Sequence, residues 1–290
     1  MSIDALLRRA AHRPARLLLA GGDVTMLQAA VARLREAGIE GVLVVGGEGL
    51  EPERHHRLNS VALLLRSREP DRVHDGIHAL DLAGDPVRFA CGLLALGDAD
   101  AMVAGPGVSH EALAAAAEWT LGPPLDEATV HAAMWLLCPD GSLVAIADAA
   151  DPDDQPALPQ ARLARAVAHT HVRVTDAPAR VAFLTGPPGH DVTRSAAEAV
   201  DRLLAIDPGT EAEADPAARF RRRADVLIFP NGMAGYLAAR TVRALGGALL
   251  LGPLLLGPPG TVAGVAEDST MDELVGTAAL AILAAGSAAT

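Results

Sequence analysis

The stretch from Ala224 to Gly257, ADVLIFPNGMAGYLAARTVRALGGALLLGPLLLG, limits the choice of fold more than any other part of the chain. Val226-Leu227-Ile228-Phe229 is a short apolar run stopped by Pro230, the pattern of a strand buried on both faces. Asn231 to Gly235 is rich in residues that tolerate unusual backbone angles and reads as a turn. Tyr236 to Leu245 has helical spacing and is closed by Gly246-Gly247. Ala248 to Leu251 then reads as a second strand, ending at Gly252-Pro253. Strand, turn, helix and strand in this short compass make one βαβ unit, whose crossover is normally right-handed. In open α/β sheets ligands sit beyond the carboxyl ends of the strands. One wall of any site is therefore expected at Pro230-Asn231-Gly232 or at Gly252-Pro253.

The same grammar runs through the rest of the chain. Arg16 to Ala20 reads as a strand entering Gly21-Gly22-Asp23, followed by a helix from Thr25 to Ala37 that Gly38 ends. Val42 to Val45 is the next strand, and Val61 to Leu65 reads as a possible third. Asp85 to Leu96 fits a helix, Ala99 to Val103 a strand entering Gly105-Pro106-Gly107, and Ser109 is placed to cap an alanine-rich helix that runs to Leu121. Gly122-Pro123-Pro124 marks a domain crossing. Beyond it, Val130 to Cys138 and Leu143 to Ala147 read as an antiparallel hairpin around Pro139-Asp140-Gly141-Ser142. A helix from Pro159 to Thr170, a strand from Val181 to Leu184, a helix from Thr193 to Leu204 and an acidic loop from Asp207 to Asp215 follow. Asp272 to Ala285 is a closing helix. The expected fold class is α/β: two α/β domains with mostly parallel sheets flanked by helices.

Composition removes several chemistries. The chain of 290 residues holds 24 Lys+Arg, and every one of them is arginine. A Schiff-base lysine, a lysine general base and a P-loop lysine are all excluded. An anion must be held by arginine, backbone N–H groups or helix N-termini. The formal net charge of −12 with no long basic run argues against nucleic-acid binding. Cys91 and Cys138 both lie in apolar surroundings and read as core residues of a cytoplasmic protein. The uncharged segment between Arg243 and Glu267 is broken by glycines and prolines, so it reads as strand and turns rather than a membrane span.

Other clusters carry little. Gly46-Gly47-Glu48-Gly49 and Gly186-Pro187-Pro188-Gly189 follow strands but lack the spacing and side chains of nucleotide-binding loops. His74 and His78 have i,i+4 spacing, yet no third metal ligand is near, so no metal is expected. Arg221-Arg222-Arg223 either completes the basic end of a helix or sends one guanidinium toward a bound phosphate.

Several blocks in order resemble one family, the phosphate acetyl/butyryl transferases. They are GDADAMVAG (Gly97 to Gly105), the Asp148/Asp151-Pro152 turn, ARVAFLT (Ala179 to Thr185), RADVLIFPNGMAGY (Arg223 to Tyr236) and RALGGALLLGPLLLG (Arg243 to Gly257). The resemblance covers roughly residues 16–285. It implies acyl exchange between coenzyme A and inorganic phosphate, with coenzyme A or acyl-CoA as substrate, no tightly bound cofactor and a homodimer. It also implies two domains, 1–122 with 260–290 and 123–259, with the active site in a cleft between domains.

The departures from the family pattern bear on chemistry. The family's Pro-Val-Asn-Asp-Leu-Ser-Arg-Gly-type motif has become Thr261 to Asp268, with Ala266 where the serine stands and Glu267 where the arginine stands. The family aspartate taken as base for the thiol matches Glu273, and its second phosphate arginine falls on Ala115. A FPDLDAGN-like block has become Phe229 to Tyr236, losing both acids, and a third arginine corresponds to Arg66 or Arg68. Glu273, Ser269 and Thr270 are thus the catalytic candidates, and Arg66, Ser109, His110, Asn231, Gly232 and Arg223 the substrate-binding ones. Two functions are carried forward: an acyltransferase-like enzyme with an altered acceptor, or a non-catalytic relative that binds a ligand or a partner. A third is that one of Arg221 to Arg223 restores phosphate binding.

Overall fold

The computed structural model describes residues 1–47, 49–122, 131–148, 157–185, 191–216 and 223–286. Two compact units share the chain: Ser2–Val130 with Leu251–Thr290, and His131–Leu250 with Met1. The first holds α1 (Ile3–Ala11), β1 (Leu17–Ala20), α2 (Val24–Glu36), β2 (Val42–Val45), α3 (Leu58–Arg68), α4 (Gly76–Gly84), α5 (Pro86–Ala95), β3 (Ala101–Ala104) and α6 (His110–Leu121). The second holds β4 (His131–Leu137), β5 (Leu143–Asp148), α7 (Ala157–Thr175), β6 (Arg180–Thr185), α8 (Asp191–Ile206), β7 (Glu211–Pro216), β8 (Val226–Phe229) and α9 (Gly232–Gly246). β9 (Leu249–Leu256) passes from the second unit into the first, which β10 (Thr261–Gly264) and α10 (Met271–Ala284) complete.

In the first unit β2, β1, β3 and β10 run parallel in that order, and β9 lies antiparallel against β10. The strand sequences LLLA, VLVV and AMVA are apolar at nearly every position because helices cover both faces. Leu18, Ala20, Val45, Met102 and Val262 pack with Phe89 of α5 and Leu113 of α6 in one cluster. α10 lies against β3 and β10 and also meets α1 and α2. Every residue of α10 from Glu273 to Ala284 is buried, an all-round apolar helix at the centre of a layer. Thr277 within it accepts the Gly252 N–H at 2.9 Å, which ties β9 to the helix.

In the second unit the strand order is β4-β5-β8-β6-β7. β4 and β5 form the antiparallel hairpin expected from the turn at Pro139 to Ser142, and β5, β8, β6 and β7 are parallel. Met134, Leu136 and Ile146, at alternate positions of β4 and β5, pack with Ala239 of α9.

Four expectations are corrected. Val61 to Leu65 is not a strand but part of α3, whose buried positions Val61, Ala62 and Leu65 keep helical spacing. The segment Asp207 to Asp215 is not all loop, because Glu211–Pro216 forms β7 beside β6. The second strand of the opening unit does not end at Gly252-Pro253; β9 runs through that cis peptide to Leu256. α9 begins at Gly232, so most of the expected turn is already helix.

Two glycines let the chain leave β1 and β3 in contact. Gly22 has φ +73°, and a Cβ there would stand 2.0 Å from the Pro106 carbonyl oxygen. Gly105 would meet the Gly21 carbonyl at 2.5 Å. Gly107, at φ +96°, has open space around it. Gly107→Ala should therefore cost only the about 1–3 kcal/mol of an unfavourable backbone angle. Gly22→Ala should cost clearly more in the same urea unfolding series, and equal costs would contradict the close backbone approach.

The second unit buries His171 on α7, and its Nδ1 has no hydrogen-bond partner. Burial lowers the imidazole pKa below its ordinary value of 6.5, against a smaller opposing pull from Asp225. As pH falls through 6.5 the unfolded chain takes up a proton that the folded protein still refuses, so stability drops. His171→Gln should flatten the stability profile below neutral pH, measured by chemical unfolding at a series of pH values.

Candidate functional site

The parallel register sets Ala20, Val45, Ala104 and Gly264 side by side at the carboxyl edge of the first unit's sheet. From that edge Gly21-Gly22-Asp23 leads into α2, Gly105 to Ser109 into α6, and Val265 to Thr270 into α10. Three helix N-termini thus leave one sheet edge from strands about 5 Å apart. Such ends attract anions through free N–H groups and the helix dipole.

Each end is capped by its own side chain. Asp23 Oδ1 accepts from Thr25 N at 2.9 Å and Met26 N at 3.1 Å. Ser109 Oγ accepts from Ala112 N at 3.1 Å. Thr270 and Glu273 form a capping box: Thr270 Oγ1 accepts from Glu273 N at 3.3 Å, and Glu273 Oε2 accepts from Thr270 N at 2.8 Å. The turn before α10 closes with Ser269 N donating to the Ala266 carbonyl at 3.0 Å, and it exposes Glu267 and Asp268. The edge therefore carries Asp23, Glu267 and Asp268, while none of these three turns contains an arginine.

The structure brings some of the sequence candidates together. Ser109 and His110 open α6, and Ser269, Thr270 and Glu273 open α10, from the neighbouring strands β3 and β10. Glu273 is 1% exposed, with its carboxylate engaged in the capping box. The Thr270-x-x-Glu273 spacing was a legible capping signal that the catalytic reading of these residues passed over. Ala115 sits partly exposed in the second turn of α6.

Arg66 lies elsewhere. It is exposed in the last turn of α3, and Arg68, two residues on, packs its guanidinium against Gly122 beyond the end of α6. That end is about 18 Å from Ser109 along the helix.

In the second unit Asn231 caps α9, its Oδ1 accepting from Ala234 N at 2.9 Å, and Gly232 is the first helical residue. Met233 and Tyr236 are exposed, and the Arg240 guanidinium lies 5.6 Å from the Tyr236 ring centroid. Arg223 stands at the opposite end of β8. It pairs with Asp140 of the hairpin turn at 3.5 Å, and its carbonyl accepts from Arg180 Nη1 at 2.7 Å. Arg223 and Asn231 are thus separated by the length of a strand.

Arg221, Arg222, Glu48, Asp151, the Gly186 to Gly189 cluster and the side chain of Asp148 lie outside the described residues. His74 and His78 stack with ring centroids 5.5 Å apart, and no group of three or more metal-ligating side chains exists among the described residues. Burial pushes the Cys91 thiol up to about 12, so it is no thiolate nucleophile.

With this geometry in place, the comparisons are consistent with one another. The model of the family described as phosphate acetyl/butaryl transferase matches residues 200–282. The phosphate acetyltransferase of Corynebacterium glutamicum is 29% identical over 228 residues, covering 72% of this chain and 69% of that protein. The phosphate acetyltransferase of Nitratidesulfovibrio vulgaris is 27% identical over 228 residues, which are 71% of this chain but only 32% of that longer protein. In fold, the chain is similar to a phosphotransacetylase of Streptococcus pyogenes, with a TM-score of 0.81 and 18% identity over 98% of this chain and 99% of that one. Together with the blocks from Gly97 to Gly257, these matches make the chain similar to the phosphate acetyl/butyryl transferases.

Proposed function

We propose that this protein is an acyltransferase-type member of its family that takes a coenzyme A thioester or a related acyl donor but does not use inorganic phosphate as acceptor. The observation that carries the reading is the turn after β10, where Ala266 and exposed Glu267 stand at the edge from which α10 leaves. A dianionic phosphate needs guanidinium forks or free backbone donors. Here a carboxylate stands in place of the guanidinium, and the caps of α2, α6 and α10 already engage part of their first-turn N–H groups. Losing one preorganised donor to a developing negative charge costs about 10²–10³ in rate. An acceptor that is neutral or cationic is compatible with Glu267, and Ser109, His110 and Ser269 supply polar groups along the same edge.

The second reading, a non-catalytic relative, is favoured by one observation: Glu273, matched to the family's base, is buried and spends its carboxylate on Thr270.

Coenzyme A-dependent release of phosphate from acetyl and butyryl phosphate tests the main proposal. The expected rate is at least a hundredfold below that of an ordinary family member assayed alongside, and Ala266→Ser with Glu267→Arg should recover at least tenfold of it. A wild-type rate within tenfold of the ordinary enzyme would overturn the proposal. Thermal shift with coenzyme A and acetyl-CoA separates the two readings: saturating ligand should stabilise a donor-binding protein by a few kcal/mol, about 2.7 at 100-fold excess over Kd.

Glu273 can be tested on its own. Glutamine also serves at the third position of a capping box. Glu273→Gln should therefore stay within about 0.5 kcal/mol of the parent, whereas Glu273→Ala should lose about 1–2 kcal/mol with its cap. If acyl transfer to any acceptor is found, its survival in the glutamine variant marks Glu273 as a cap, and its loss at unchanged stability marks a base.

A further inference from the structure

The last turn of α6, where Glu118 precedes Trp119, lies against three arginine side chains. The Arg72 guanidinium lies 5.4 Å and that of Arg88 5.3 Å from the ring centroid of Trp119. One turn further on, Arg68 packs so closely over Gly122 that a Cβ there would stand 2.7 Å from Nη1. Arg72 has Glu69 as partner at 3.5 Å. Among the described residues no ion pair reaches Arg68 or Arg88, and Arg88 Nε is buried without a hydrogen-bond partner. Asp85, close to Arg88 in sequence, spends Oδ1 on the Arg88 backbone N–H at 2.9 Å as the cap of α5. Arg68 is exposed at the surface, and partial burial of its guanidinium lowers its pKa.

We propose that Arg68, Arg72 and Arg88, arranged around Trp119, form a binding site for a small phosphate-type polyanion, separate from the carboxyl edge of the sheet. A guanidinium is a planar fork that takes phosphate oxygens two at a time, and two such forks suit a diphosphate better than a single phosphate. Stacking on an indole holds a guanidinium in place before any ligand arrives. The site lies at the opposite end of α6 from Ser109, about 18 Å away, and it stands independently of the acyl-transfer reading.

Inorganic pyrophosphate is the probe, titrated into the full chain at constant ionic strength and followed by calorimetry and tryptophan fluorescence, with inorganic phosphate as a second arm. Saturable binding below millimolar is expected for pyrophosphate, and weaker binding for phosphate. Trp135 is fully buried in the second unit, so the fluorescence response should vanish in Trp119→Phe. Arg68→Gln and Arg88→Gln should each weaken binding at least tenfold, Glu69→Gln should tighten it by freeing Arg72, and Glu267→Gln should leave it unchanged. Melting temperatures report whether Arg88→Gln remains folded, and the exposed Arg68→Gln carries the test if it does not. Binding that never saturates in the millimolar range, or that Arg68→Gln leaves intact, overturns the site.

Discussion

The approach of the backbone after β1 to the backbone after β3 is the constraint from which the layout of the first unit's carboxyl edge follows. Any side chain at Gly22 would strike the Pro106 carbonyl, and any at Gly105 would strike that of Gly21. With both positions bare, the two turns close over each other and α2 and α6 start from one place. The register Ala104↔Gly264 then fixes where β10 ends, so α10 starts beside them. α10 is buried along its length, so its position is set by packing rather than by anything at its N-terminus. The backbone of the edge is thus determined by glycines and apolar layers, while the side chains that would do chemistry stand on turns whose paths are already fixed.

This division explains how far the sequence could be read. Short apolar runs such as Leu17 to Ala20 and Ala101 to Ala104, each closed by glycine within a residue of its end, were legible as buried parallel strands because that flanking punctuation stops a helix. The run Val61 to Leu65 was ambiguous because five apolar residues suit a buried strand or a helix, and only the flanking Leu58 and contact with α5 settle it. β7 was hidden by its composition: Glu211, Glu213 and Asp215 look like a solvated loop, but an edge strand pairs through its backbone and is protected by charge. β9 was cut short at Pro253 because proline lacks a donor, yet its pairing with β10 falls beyond it, at Leu254 and Leu255.

The site was less legible than the scaffold for a different reason. Resemblance assigns a position in a motif, whereas a side chain's partner depends on what the fold brings to it. Thr270 and Glu273 stand at the carboxyl edge, and their separation of three residues at a helix start makes them each other's partners. Asn231, on the wall expected from the opening stretch, becomes the cap of α9 by the same logic. Arg223 and Asn231 were both substrate-binding candidates, eight positions apart in sequence. A strand carries them to opposite ends, where Arg223 finds Asp140.

The electrostatics of the carboxyl edge are consequently cumulative. A helix N-terminus presents about half a positive charge, and a side-chain cap engages one or two of its four unpaired N–H groups. Asp23 takes up two of those groups with a full negative charge, Ser109 takes up one, and the Thr270–Glu273 box closes the third end. Glu267 and Asp268 add acid on an exposed turn. The edge thus combines helix ends that keep some free N–H groups with carboxylates at Asp23 and Glu267, which makes it less favourable to an anion than its backbone alone would be. The acceptor proposed for this edge, one that brings no negative charge to it, follows from that balance.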